Sequence, residues 1–179
     1  SLLPSSDPHS ISVSADGRRL TYSKFTWVQN VWSVRIPQSG SVSIRDAVPI
    51  TTDNQIIEEL DLSPDGEWIA FDSDIQGESD IYRQRPSGGD PVLVADVEGN
   101  AFFPRWSPDG SKIAFYSGPP PTVELHVMEP DGSNRRELVP NQNDIYDFTW
   151  SPDSSKILAI VKTRTPRNPE EAWIVSMDG

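Results

Sequence analysis

The tetrapeptide Ser-Pro-Asp-Gly stands at Ser63-Pro64-Asp65-Gly66 and again at Ser107-Pro108-Asp109-Gly110, with degenerate copies at Ser14-Ala15-Asp16-Gly17 and Ser151-Pro152-Asp153-Ser154. The four serines are 49, 44 and 44 residues apart. A period of roughly 40–45 residues with turn signals inside it marks a stacked repeat. Proline after the serine fixes φ at the first central position, the aspartate can bond its own backbone, and glycine supplies a positive φ. Each copy therefore predicts a tight turn between two antiparallel strands. Short apolar runs flank each turn, as in Leu60-Asp61-Leu62 before and Trp68-Ile69-Ala70-Phe71 after.

A third run follows each hairpin after a variable loop: Val31-Trp32-Ser33, Ile81-Tyr82-Arg83, Leu125-His126-Val127 and Ala172-Trp173-Ile174. Turn residues end it at Ser39-Gly40, Gly88-Gly89, Asp131-Gly132 and Asp178-Gly179. A fourth run, Val48-Pro49-Ile50, Val92-Leu93-Val94 or Leu138-Val139, closes three of the units. Four short strands in a unit of this length make one blade, so the expected fold is an all-β propeller, with four blades of four antiparallel strands in this chain.

The string Trp106-Ser107-Pro108-Asp109-Gly110-Ser111-Lys112-Ile113-Ala114-Phe115, followed by a strand ending in Asp131-Gly132, resembles the WD-like propeller repeat of the TolB type. The resemblance covers essentially all 179 residues. It implies a propeller ring of six to eight blades and slightly favours a periplasmic or extracytoplasmic location. Activity is not implied, because one fold carries many functions.

Aligning the units places residues 1–7 as an outer strand without its blade, followed by blades at 8–53, 54–97 and 98–141 and an incomplete blade at 142–179. Leu2-Leu3-Pro4 precedes Ser14 much as Leu138-Val139-Pro140 precedes Ser151. A terminal strand that completes the last blade removes an exposed edge. Three arrangements stay open: a segment of a longer propeller, a half-ring whose terminal strands pair with a second copy in a homodimer, and a closed four-blade ring.

A net charge of −12 makes a nucleic acid a poor partner, since phosphate binding needs a surplus of lysine and arginine. No apolar stretch is long enough to insert into a membrane as a helix. There is no cysteine, which removes disulfides, thiolate catalysis and cysteine-based metal sites together. The two histidines, His9 and His126, have no evident catalytic partners, and His126 occupies the slot filled by Trp32, Tyr82 and Trp173 in the other units. No catalytic residue, cofactor or metal is expected from this inventory, and the hairpin aspartates read as turn formers.

Loops carry recognition on a repeat frame. One loop family enters the innermost strands and is rich in amides and acids: Asn54 and Gln55, Glu98 and Asn100, Gln142, Asn143 and Asp144. A second joins the second and third strands and includes Asp72 and Asp74, while Trp27 stands in its first member. Both families should open on one face, and these ten residues form the candidate partner-binding surface. Asp61 and Arg105, each two residues before a turn serine, are also placed to face each other between neighbouring blades. The function expected is a non-enzymatic module that binds a protein or peptide. The alternatives are the substrate-gating propeller of a prolyl-oligopeptidase-like hydrolase and the sensory segment of a signalling protein.

Overall fold

The computed structural model describes residues 8–13, 19–24, 28–53, 55–118, 123–138, 144–162 and 170–177. The strands are β1 (Pro8–Val13), β2 (Leu20–Lys24), β3 (Trp32–Ser33), β4 (Val48–Pro49), β5 (Leu60–Leu62), β6 (Ile69–Ser73), β7 (Asp80–Gln84) and β8 (Val92–Ala95). There follow β9 (Asn100–Trp106), β10 (Ile113–Gly118), β11 (Glu124–Met128), β12 (Arg136–Glu137), β13 (Asp144–Trp150), β14 (Lys156–Lys162) and β15 (Glu170–Ser176). One 3-10 turn, Ile44–Asp46, is capped by the Ser43 hydroxyl, which accepts from the Arg45 N–H.

Two sheets have four strands in simple up-and-down order, β5-β6-β7-β8 and β9-β10-β11-β12, all antiparallel. The last sheet has three, β13-β14-β15. The first repeat differs from the expected four-stranded blade: among the described residues it forms two separate hairpins, β1-β2 and β3-β4. Its third and fourth strands are only two residues long, and Pro49 offers no N–H to their ladder. The proposed outer strand at 1–7 lies outside the described residues.

The repeated turns form as their chemistry dictates. In the three copies among the described residues, the serine hydroxyl donates to the aspartate Oδ1 two residues on, at 2.5 Å for Ser63, 2.7 Å for Ser107 and 2.6 Å for Ser151. The same oxygen accepts an N–H from Glu67 or Ser111, and Gly66 and Gly110 both sit at φ +72°. The core lies between the sheets. Each sheet turns one face forward onto the back of the next, and three apolar layers result. Val31 and Ile50 meet Ile69, Phe71 and Tyr82; Ala70, Ile81 and Val94 meet Trp106, Ile113, Phe115 and Met128; Ala114, Leu125 and Val127 meet Ile145, Phe148, Ile157, Ala159 and Val161. Strand alternation makes this possible, since neighbours along a strand face opposite sides.

Candidate functional site

The innermost strand β5 is three residues long while its partner β6 continues to Ser73, so the segment at 55–59 runs beside β6 with few regular ladder bonds. Side chains of β6 hold it instead. Asp72 Oδ1 accepts the N–H groups of Glu58 at 2.8 Å and Glu59 at 3.0 Å, and its Oδ2 accepts that of Phe103 at 3.2 Å. Phe103 is a bulged residue of the next sheet with φ +59°. Ser73 Oγ donates to Gln55 Oε1 at 2.6 Å, and Asp74 Oδ1 accepts the Ile56 N–H at 2.6 Å.

The neighbouring loop joins the same end of the molecule. Asn100 Oδ1 accepts from the Ser79 N–H at 3.1 Å, and the Ala101 N–H donates to the Ser79 carbonyl at 2.6 Å. Between these loops opens a cleft of about 340 Å³ lined by Ile56, Glu58, Asp74, Gly77, Ser79, Asn100 and Phe102. One part of the wall is apolar, from Ile56 and Phe102, and the rest is acidic and polar. It suits a ligand that brings a basic group beside an apolar one.

The candidate residues therefore fall into groups. Asp74 and Asn100 share this cleft. Glu98 lines a second, of about 360 Å³, with Val97, Ser117, Gly118, Glu124, His126 and Arg135. Gln55 and Asp72 are buried, at 3% and 1% exposure, and bonded within the fold, which corrects their placement on a solvent-facing loop. Asp72 belongs to β6, where burial pushes its carboxyl above the usual carboxylate range against the three N–H groups that pull it down. Asp144 opens β13, paired with Lys162. Trp27, Asn54, Gln142 and Asn143 lie outside the described residues.

Glu58 and Phe102 were absent from the sequence-derived surface, yet a signal for them existed. Each stands five residues before its turn serine, a position that repeats with the unit. His126 packs as its slot predicts: its ring stacks on Phe115 at 5.6 Å and Nε2 meets Glu124 at 3.1 Å. Among the described residues no group of three or more histidine, aspartate or glutamate side chains could hold a metal ion. No helix among them is long and apolar enough to cross a membrane.

No family model matches the sequence, and no curated protein matches it. Solved structures do. The chain is similar to TolB from Acinetobacter baumannii at 18% identity and a TM-score of 0.60, over 98% of this chain and 44% of that one. Similarity to a puromycin hydrolase mutant complexed with PGG gives 16% identity and a TM-score of 0.67, over 94% of this chain and 27% of that one. A nidogen/laminin complex aligns at 17% identity and a TM-score of 0.59, over 75% of this chain and 50% of the other. This chain thus spans half or less of the length of each. Likeness at this identity defines the fold alone: the molecule has a TolB-like β-propeller fold.

Proposed function

We propose that this chain is a non-enzymatic propeller module that binds a protein or peptide at the loop end of its second and third sheets. The observation that supports this reading is the cleft between residues 56–58, 74–79 and 100–102, where both loop families converge on a mixed apolar and acidic wall. Ile56 and Phe102 suit an apolar side chain of the ligand, and Glu58 and Asp74 suit a lysine, arginine or terminal amine beside it. The chain's net charge of −12 adds a long-range attraction for basic segments. An extracytoplasmic setting belongs to the same proposal.

Panning a random peptide library against the chain tests it. Enriched peptides should carry a basic residue next to an apolar one, and Glu58→Lys should weaken their binding about tenfold or more while the circular dichroism spectrum is unchanged. Enrichment of nothing, or of peptides indifferent to Glu58→Lys and Phe102→Ala, would overturn the reading. The likeness to a puromycin hydrolase supports a second proposal, that the propeller serves a larger peptidase as its gating element. In that case a Gly-x-Ser-x-Gly segment lies elsewhere in the gene, and peptides bound at the cleft are cleaved by the complete protein.

A further inference from the structure

The cleft of about 360 Å³ beside Glu98 has no part in the peptide-binding reading, and its walls come from the second and third sheets. The repeat itself shows how it arises. In the second sheet β6 ends at Ser73, whose hydroxyl donates to Gln55 Oε1 at 2.6 Å and accepts the Ile75 N–H at 3.3 Å. Gln55 is buried, at 3% exposure, and its Nε2 donates to Asn30 Oδ1 at 3.4 Å. A carboxamide of the chain itself thus fills the place in front of β6 and satisfies the serine.

A shift of 44 residues, the spacing of the turn serines, carries Ser73 to Ser117 and Gln55 to Gly99. The backbone pairing agrees: the Asp74 N–H donates to the Ile56 carbonyl, and Gly118 pairs with Asn100 at the equivalent place in the third sheet. Ser117 is buried, at 3% exposure, and lines the cleft, yet its hydroxyl has no hydrogen-bond partner among the described residues. Both groups that serve Ser73 are missing by sequence, because Gly99 has no side chain and Pro119, in the place of Ile75, has no N–H. An unpaired hydroxyl in so buried a place costs free energy that a bonding partner recovers. Beside it stands the His126 ring, stacked on Phe115 with its Nε2 on Glu124. Glu98 and Arg135 line the same cleft from exposed positions, so an ammonium and a carboxylate of a ligand each find a counter-charge.

We propose that this cleft is a second binding site, which takes a primary carboxamide, that of free glutamine or of a glutamine side chain on a peptide. The ligand's carbonyl oxygen accepts from the Ser117 hydroxyl, as that of Gln55 accepts from Ser73, and its methylenes lie along Val97. The site shares no lining residue with the loop cleft, so it holds or fails independently of the peptide-binding reading there.

Amide chemical shifts of the chain, followed during titration with free glutamine and with N-acetylglutamine N-methylamide, test it. Saturable shifts at Gly99, Ser117 and His126 are expected with at least one of the two. A response to free glutamine alone identifies a free amino acid as the ligand, and a response to the blocked form identifies a side chain on a peptide. Ser117→Ala should weaken the binding about fivefold or more. The same substitution should leave the urea midpoint of the free chain unchanged or raised, because it deletes a hydroxyl with no partner, whereas Ser73→Ala should lower it. Glutamate binding as well as glutamine would overturn the proposal, as would an affinity that Ser117→Ala leaves unchanged. A midpoint lowered as far by Ser117→Ala as by Ser73→Ala would show that the hydroxyl is bonded within the fold, and the absence of saturable shifts with both ligands in the millimolar range would show that the cleft is no site; either result sinks the idea.

Discussion

Asp72 shows how one side chain can organise a site without facing the ligand. Its two oxygens take three backbone N–H groups from two sheets, so truncation orphans all three in a buried place. Each lost partner costs about 1–3 kcal/mol, and Asp72→Ala should destabilise by about 3 kcal/mol or more in a denaturant titration. Asp72→Asn should also destabilise, because an amide presents a donor to one of the N–H groups. The sequence misplaced this residue for a physical reason: Asp-Ser-Asp before a glycine is turn chemistry, and only the length of β6 relative to β5 turns it inward. The turn aspartates are the opposite case, fully legible and solvent-facing. Ser151 and Ser155 hydroxyls and the Ser155 N–H hold the Asp153 carboxyl down at about 2. A folded pKa below the unfolded value of about 3.8 means the turn's contribution is present above pH 4 and is lost as pH falls toward 2. A carboxyl carbon titration by NMR should find the Asp153 midpoint near 2, and a midpoint near 4 would mean that these bonds do not persist in solution.

At the scale of the element, the hairpins at 60–73 and 100–118 were readable because turn residues, strand alternation and period all agree. The separate hairpins of the first repeat were not, since their short ladders depend on pairing lengths that no motif states. Turn glycines show the difference between local and tertiary constraint. Gly66 has φ +72° and open space where a Cβ would go, so Gly66→Ala should cost only the conformational strain, about 1 kcal/mol. Gly132 has φ +89° and presses on β8 of the preceding sheet, where an added Cβ would overlap the Val94 carbonyl oxygen. Gly132→Ala adds an overpacking penalty of about 1–3 kcal/mol and should therefore be clearly worse than Gly66→Ala in the same unfolding assay. Equal losses would mean that the turn at 130–132 does not seat against β8. The sequence marks both glycines alike as turn formers; the contact that separates them arises only when sheets stack.

Across the whole molecule, neighbouring sheets are tied by bonds that recur at the repeat spacing. Asp61 Oδ2 accepts the Trp106 N–H at 2.7 Å, and the Trp150 indole N–H donates to the Arg105 carbonyl at 3.2 Å. The expected facing of Asp61 and Arg105 is present in a modified form. Arg105 Nη2 pairs directly with Glu59 at 3.1 Å, and its guanidinium acts on Asp61 through the field, while it also lies 5.5 Å from the centre of the Phe103 ring. Burial raises the Asp61 carboxyl above its ordinary value, with the Trp106 N–H and Arg105 opposing that rise. Because its folded pKa is the higher one, Asp61 by itself lowers stability as pH rises through that value, and Arg105 limits the loss. The attraction of Arg105 for Asp61 thus requires the ionised Asp61 carboxylate. Arg105 and Glu59 are each about one-third exposed, so solvent screens the pair and the loss in Arg105→Ala should be about 1 kcal/mol at pH 7. At pH 3, where the raised Asp61 carboxyl is largely protonated, the same substitution should cost less, leaving the contact with Phe103 and the bonds to the Leu60 and Pro104 carbonyls. Urea titrations of both proteins at the two pH values measure this directly. A penalty independent of pH would assign the role of Arg105 to packing and remove electrostatics from the junction between the second and third sheets.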